Sequence, residues 1–163
     1  MTVCTSASQG SITSVAMGQI ATARPPLRLG TILGSCIGLA VYHPRLRIAA
    51  LAHIVLPDSA GREGAPGKFA DTALPYMLRL LAAEGAPSAG LMAKLAGGAN
   101  MFQSTGPMQI GDANVRAITA LLQSMHVQLA GSHVGGNGGR RVTLDPASGE
   151  MTVEIVGQPP VFV

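Results

Sequence analysis

The 163 residues of this chain can bury a large core, because 47% of them are hydrophobic and only 12% are charged. With three Phe, two Tyr and no Trp, the chain has too few aromatic rings for a surface that stacks nucleic-acid bases, and a net charge of +3 on scattered basic residues forms no basic patch. We therefore expect no nucleic-acid binding. Gly, Pro, Arg and His interrupt the apolar runs before the roughly 20 residues that a membrane helix needs, so no membrane insertion is expected either.

The N-terminal segment predicts a reduced, cytoplasmic protein. Cys4 and Cys36 could form one disulfide, but the first twenty residues lack the basic start and continuous apolar run of a secretory signal peptide. Free thiols are the usual state of cysteine in the cytoplasm. Residues 1–9 are rich in Ser and Thr, and we expect them to form a frayed tail in which Cys4 has no function.

Hydrophobic patterns predict two helices among several strands. Weak alternation over residues 11–22 predicts a first strand, and Arg24-Pro25-Pro26 interrupts the chain after it. The predicted helices span residues 70–84, with Pro75 in the first turn and Gly85 as the stop, and residues 112–125. The remaining predictions are strands at 91–96 and 127–134, a polar loop at 58–68, and hairpins over 37–56 and 142–155. This order predicts a β-rich α/β sandwich built on one mixed sheet system.

The first hairpin brings a thiol and an imidazole to one face. If Arg45 and Leu46 are the centre of its turn, paired residue numbers sum to 91, so that Cys36 lies opposite Val55 and diagonal to His53. Alternate residues of a strand share a face, and diagonal neighbours in a sheet are about 7–8 Å apart at Cα. A Cys–His pair is the minimal apparatus for attack on an acyl carbon, and the thiol should then react well below its unperturbed pKa of about 8.5.

Each candidate residue also has a purely structural interpretation. Cys36 could be a buried inert thiol and His53 a core histidine, but the Gly34-Ser35 turn leaves room for a substrate and offers backbone N–H groups to an oxyanion. His133 is a rival base without a geometric argument. Neither CxxC nor HExxH occurs, so no metal is expected, and the glycine loops at 97–98 and 135–139 lack a nucleotide-binding pattern.

Six short segments together resemble the CheD family of chemoreceptor glutamine deamidases. They occur in family order over most of the chain: Leu33-Gly34-Ser35-Cys36, Ala52-His53-Ile54-Val55-Leu56-Pro57, Gly67-Lys68-Phe69-Ala70-Asp71-Thr72-Ala73, Gly97-Gly98-Ala99-Asn100-Met101-Phe102, Ile110-Gly111-Asp112-Ala113-Asn114-Val115 and Val134-Gly135-Gly136-Asn137-Gly138-Gly139-Arg140. The resemblance implies that residues 1–163 are a single deamidase domain, similar in fold to glutamine-deamidating bacterial toxins. It also implies hydrolysis of glutamine side chains on methyl-accepting chemotaxis receptors.

The resemblance assigns roles to individual residues. Cys36 is implied as the nucleophile, His53 as the base, and Thr31 as the nearest candidate for a third catalytic member. The reaction would pass through a thioester and would need no cofactor. The loops at 58–68, 97–102 and 135–140 are expected to bind the receptor, with Asn100 and Arg140 as candidate substrate-loop residues. For Arg140, contact with acidic receptor residues and a structural ion pair in the closing hairpin are both open.

Three functional classes remain open at this point. Some relatives also bind a phosphatase of the CheC type, so a non-catalytic adaptor that docks on receptors or on such a phosphatase is the first alternative to a deamidase. A general Cys amidase or peptidase with the same Cys36–His53 pair is the second.

Overall fold

A computed structural model describes residues 10–101 and 109–163 of the chain. The predicted tail with Cys4, and Phe102 of the predicted substrate loop, lie outside the described residues. The helices are α1 (Ala70–Ala83) and α2 (Ile110–Ser124), and a short 3₁₀ helix spans Pro66–Lys68. The strands are β1 (Ile12–Ser14), β2 (Ile20–Ala23), β3 (Arg28–Leu33), β4 (Ile37–His43), β5 (Ile48–Ile54), β6 (Met92–Gly97), β7 (Gln128–Val134), β8 (Arg140–Leu144), β9 (Met151–Glu154) and β10 (Val161–Phe162).

The strands form two five-stranded sheets. The outer sheet has the order β1-β3-β8-β9-β10, and the central sheet has the order β2-β5-β4-β6-β7. Two pairs, β1 with β3 and β6 with β7, are parallel, and the others are antiparallel. The expected mixed α/β class with two helices is confirmed. The expectation of one sheet system is wrong, because strand pairing over long sequence distances is not encoded in the local pattern from which it was inferred.

The central sheet lies between the helices and the outer sheet. Ala50, Ala52 and Ile54 of β5 pack with both helices in one core. The alternate residues Ala49 and Leu51 pack with the outer sheet in a second core. Every residue of β4 and β5 is buried, which explains why these strands read as continuous apolar runs rather than as alternating ones. The fold therefore has three layers, with one core on each side of the central sheet.

The single strand predicted over residues 11–22 is in fact two strands in different sheets. β1 belongs to the outer sheet and β2 to the central sheet. The chain crosses between them at Gly18, whose φ of 77° suits glycine and whose N–H donates to the His53 carbonyl at 2.9 Å. This hydrogen bond holds the chain just before β2 against β5, the strand that carries His53.

Both helices end in the same hydrogen-bonded cap. At the end of α1, Ala86 N–H donates to Leu81 O and Gly85 N–H to Ala82 O, as in a Schellman motif with glycine in the left-handed position. Gly85 is therefore the stop that the sequence predicted. Pro75 does not lie in the first turn as expected, since α1 begins at Ala70 and Pro75 is its sixth residue.

Among the described residues, no helix has the length and apolar character that a membrane crossing requires.

The predicted hairpin register is confirmed. Ile37 pairs with Ile54 and Gly38 pairs with His53, so that partner numbers sum to 91. Cys36 immediately precedes β4, two residues from Gly38, and is therefore diagonal to His53 in the register. The closing hairpin of β8 and β9 also forms about the predicted turn.

Candidate active site

Cys36 lies on the turn between β3 and β4, at the end of the layer between the two sheets. Its side chain is partly exposed, reduced, and packed against the second core. Gly98 N–H donates to the Cys36 carbonyl at 2.9 Å, and Ala99 N–H donates to the Gly34 carbonyl at 3.0 Å. The segment that follows β6 therefore holds the backbone of the turn at both of its ends.

Gly97 explains why this segment is rich in glycine. A Cβ at residue 97 would lie 2.2 Å from the Cys36 carbonyl oxygen, and the φ of 104° is one that side-chain-bearing residues rarely adopt. No larger residue fits without moving the Cys36 turn. The glycine pair at 97–98 supports the turn by close backbone approach, which is consistent with the absence of a phosphate-binding pattern.

Thr31 and His53 meet across the two sheets. The Thr31 Oγ1 lies 2.8 Å from His53 Nδ1 and donates its proton to the Val15 carbonyl at 2.7 Å. A hydroxyl has only one proton, and Thr31 uses it on the Val15 carbonyl. The Thr31 oxygen is therefore the acceptor in the contact with His53, and Nδ1 of His53 carries the hydrogen and donates it. In the neutral imidazole, Nε2 is then the unprotonated nitrogen that can accept a proton.

Cys36 and His53 face the same interlayer space. The residues of β5 on the His53 face, Ala49 and Leu51, belong to the second core, and Cys36 packs against that same core. Gly38, the cross-strand partner of His53, has little room for a side chain, because a Cβ there would lie 3.0 Å from Leu33 Cδ1 and 3.7 Å from Thr31 Cγ2. The closest packing on this face is therefore between β3 and β4, beside the Thr31–His53 contact.

Burial favours the uncharged forms of both groups. Burial raises the pKa of the Cys36 thiol above its ordinary value of 9.0. Burial also lowers the pKa of His53 below 6.5, against a smaller opposing effect of the Val15 carbonyl. The sequence led us to expect a thiol pKa below the ordinary value, whereas the resting pair here is a neutral thiol and a neutral imidazole.

Two backbone donors on the cysteine turn have no hydrogen-bond acceptor among the described residues. Within residues 10–101 and 109–163, neither the Ser35 N–H nor the Cys36 N–H donates a hydrogen bond. Adjacent free N–H groups beside a nucleophile can bind the negative oxygen of a tetrahedral intermediate. The turn thus offers donors as well as a thiol.

Arg140 is buried rather than presented to a receptor, and it forms no ion pair with the residues that the structure describes. Only 3% of its surface is exposed. Its guanidinium donates to the carbonyls of His133 at 2.9 Å, Gly138 at 3.2 Å and Gly135, and to His133 Nδ1 at 2.9 Å. The side chain organises the 135–139 loop from within. Because a guanidinium can only donate, His133 Nδ1 is the acceptor in this contact. Within residues 10–101 and 109–163, no hydrogen bond joins His133 to Cys36.

The glycine loops on either side of the turn contact each other. Asn100 N–H donates to the Gly136 carbonyl at 2.8 Å, and Gly135 N–H donates to the Gly97 carbonyl at 2.9 Å. Asn100 therefore joins the two loops through its backbone. Met101 covers the turn, since a Cβ at Gly34 would lie 3.4 Å from its Cγ.

The 58–68 loop, which follows the strand of His53, is anchored to α1. Ser59 donates to the carboxylate of Asp71 from its backbone N–H at 3.0 Å and from its hydroxyl at 2.7 Å. Arg62 also donates from Nε to the Ser59 carbonyl at 2.9 Å.

In the part of the chain that the structure describes, no cluster of His, Cys, Asp or Glu could hold a metal ion.

Asn114 is a residue of the site that our sequence reasoning missed. It lies on α2, is fully buried, and donates from Nδ2 to the Val55 carbonyl at 3.0 Å and to the Ser35 carbonyl at 3.3 Å. The signal was present in the sequence, because residue 114 falls on the same helical stripe as the apolar residues 118 and 122. A polar residue on an apolar stripe indicates a buried partner.

Comparison with known proteins points to one family. The family model described as "CheD chemotactic sensory transduction" matches residues 55–155. The "Chemoreceptor glutamine deamidase CheD" of Thermotoga maritima is 38% identical over 144 residues, which are 88% of this chain and 91% of that protein. A "Probable chemoreceptor glutamine deamidase CheD" of Clostridium botulinum is 41% identical over 138 residues (81% and 85%), and one of Syntrophomonas wolfei is 39% identical over 152 residues (90% and 94%).

Proposed function

Because this chain belongs to the CheD family, we propose that Cys36, His53 and Thr31 form the catalytic machinery of a chemoreceptor glutamine deamidase. The reaction is the hydrolysis of a glutamine side-chain amide on a chemoreceptor, which gives glutamate and ammonia. One observation carries the assignment of the residues: Thr31 Oγ1 lies 2.8 Å from His53 Nδ1. That contact leaves Nε2 as the basic nitrogen of a histidine on the same face as the thiol.

The first half of the reaction forms a thioester. The Cys36 thiol gives its proton to His53 Nε2, and the sulfur attacks the glutamine Cδ. The carbonyl oxygen becomes an oxyanion, which the N–H groups of Ser35 and Cys36 stabilise. As this intermediate collapses, the imidazolium protonates the amide nitrogen, and the C–N bond breaks to release ammonia.

The second half regenerates the enzyme. His53 takes a proton from a water molecule, whose oxygen attacks the thioester carbon. The C–S bond then breaks, the sulfur recovers the proton from the imidazolium, and glutamate is released. Water is the only co-reactant, so this chemistry requires no group beyond those that the chain supplies.

The same membership supports proposals about the broader setting of the enzyme. We propose that the enzyme works in the cytoplasm, where a reducing environment preserves a free thiol such as Cys36. We also propose that the chain acts as one domain whose fold is similar to that of glutamine-deamidating toxins. The resemblance to CheD further supports a phosphatase of the CheC type as a partner. The loops at 58–68, 97–101 and 135–139 are the proposed receptor contacts.

The decisive test is the Cys36→Ala variant on receptor fragments. Ammonia release and mass spectrometry of receptor peptides measure glutamine-to-glutamate conversion, and we expect a loss of several orders of magnitude with the fold intact, because the covalent nucleophile is gone. The control is Cys4→Ser, which should keep full activity.

Each alternative function has its own outcome in this test. A general peptidase would cleave peptide bonds of the receptor fragments rather than release ammonia. An adaptor would bind the fragments without changing their mass. Full deamidation by Cys36→Ala would exclude covalent catalysis by this residue.

A further inference from the structure

Asn114 connects the nucleophile segment to the base segment with one amide group. Its Nδ2 donates both to the carbonyl of Ser35, which precedes Cys36, and to the carbonyl of Val55, which lies two residues beyond His53. The side chain is fully buried on α2. A helix outside the two sheets therefore contacts both of the segments that carry the proposed catalytic pair.

The orientation of this amide is unambiguous. Both partners are backbone carbonyls, which only accept hydrogen bonds, so the nitrogen rather than the oxygen must face them. Asn114 Oδ1 is buried and has no hydrogen-bond partner among the described residues. Among the described residues, this side chain leaves its buried acceptor unsatisfied while both donors are in use, and most buried side-chain acceptors do have a partner.

The contact with Ser35 has a direct consequence for the proposed oxyanion donors. The Ser35 carbonyl and the Cys36 N–H belong to one planar trans peptide, in which the two groups point in opposite directions. By holding the carbonyl toward α2, Asn114 turns the Cys36 N–H away from the helix and fixes its direction. Rotation of this peptide would misplace the donor and shift the nucleophile.

We propose that Asn114 is a positioning residue that sets the Ser35–Cys36 peptide and its spacing from the His53 strand. This proposal rests on the proposed function of Cys36 and His53. Asn114 does not touch the reacting atoms. It acts through the peptide that carries the nucleophile, so its removal should lower kcat rather than raise KM.

The test is the near-isosteric Asn114→Asp variant. At pH 8, a carboxylate would face two carbonyl oxygens with no donor, and we expect kcat on receptor fragments to fall about 10²- to 10³-fold, as when one oxyanion donor is lost, with KM within about twofold. Burial raises the pKa of such a carboxyl, and its protonated form regains one donor. The activity of the variant relative to the unmodified protein should therefore rise as the pH falls from 8 to 6.

Ile118→Ala is the matched control. Ile118 is buried on the same helix one turn further along, where it packs in the core between the helices and the central sheet. It should lose stability but keep the kcat and the pH profile of the folded fraction. If Asn114→Asp does not fold, Asn114→Ala, which removes both donors without adding charge, carries the same comparison.

Two results would overturn the proposal. One is a wild-type kcat in both Asn114 variants. The other is a loss that matches Ile118→Ala at equal folded fraction and does not change with pH. The rate of Cys36 alkylation by iodoacetamide, measured in the same variants, should change in the Asn114 variants but not in Ile118→Ala. Because alkylation requires no deamidation, this readout separates failure of the positioning role from failure of the proposed function, which Cys36→Ala tests.

Discussion

For single residues, burial determines the protonation state of the proposed catalytic pair. The pKa of Cys36 is raised and that of His53 is lowered, both by desolvation. In this resting state the thiol carries the proton that the reaction needs. Its transfer to His53 Nε2 accompanies the attack of the sulfur on the substrate. Because its pKa is raised, the thiol is mostly uncharged at neutral pH and should react slowly with alkylating reagents.

These shifts predict a broad pH plateau. Activity is lost at low pH when His53 becomes protonated, and at high pH when Cys36 loses its proton to solvent. Because the pKa of His53 is lowered, the acid limb of kcat/KM should lie below 6.5. Because that of Cys36 is raised, the alkaline limb should lie above 9.0. A pH series of ammonia release from receptor fragments measures both limbs.

Two Thr31 variants, measured over the same pH range, test the role of Thr31. Thr31→Val removes the acceptor of the Nδ1 proton at nearly constant volume and should lower the plateau by about 10- to 100-fold, whereas Thr31→Ser should retain it. An acid limb above 6.5 in the unmodified protein would contradict the neutral resting pair.

Among secondary-structure elements, the C-terminal caps of the two helices differ in the residue that adopts the left-handed conformation, and this difference affects stability. The cap of α2 has the same pattern as that of α1, with Val127 N–H bonded to Leu122 O and His126 N–H to Gln123 O. Its left-handed position is held by His126 at φ 57°, where α1 has Gly85 at φ 90°. A side chain in this region is strained, and glycine is not.

This difference predicts opposite effects at the two caps. His126→Gly should raise the free energy of unfolding by about 0.5–1 kcal/mol, and Gly85→Ala should lower it by about 1 kcal/mol. A Cβ at residue 85 would meet no atom within 4 Å, so the second effect is conformational rather than steric. Urea unfolding of both variants measures it. A destabilised His126→Gly would show that the imidazole contributes more than the strain costs.

Local patterns predicted the elements well but not their arrangement. The boundaries of α1 and the register of the β4–β5 hairpin follow from apolar periodicity and a short turn, both of which are encoded within a few residues. The pairing of β3 with β8, which builds the outer sheet, depends on contacts between distant segments. The same holds for Asn114, whose partners Ser35 and Val55 are 79 and 59 residues away in sequence.

For the whole molecule, Lys94 ties the central sheet to the far end of the outer sheet. Its ammonium donates to the carbonyls of Gly149, in the β8–β9 turn, and Val163, each at 2.7 Å. It also lies 5.2 Å from the centroid of the Tyr42 ring. Burial lowers the pKa of the Lys94 ammonium, and the nearby Glu150 partly offsets this effect.

Lys94→Met tests this tie. Methionine keeps the apolar stem but leaves two carbonyls without their charged donor, so we expect the free energy of unfolding to fall by about 1–3 kcal/mol. The matched control is Lys68→Met at an exposed position, which should change it by less than about 0.5 kcal/mol. Equal values for the two variants in denaturant unfolding would show that the Lys94 contacts add no net stability.

The hydrogen bond between Thr31 and His53 joins a residue of the outer sheet to one of the central sheet. Neither sheet alone contains the proposed site, which exists only once the two sheets have docked. A compact intermediate with both sheets formed but loosely packed would keep its secondary structure, yet the imidazole would have no fixed tautomer. Deamidation activity therefore reports on the packing of the two sheets against each other. During refolding, we expect activity to return when the sheets dock, which is later than the formation of the strands.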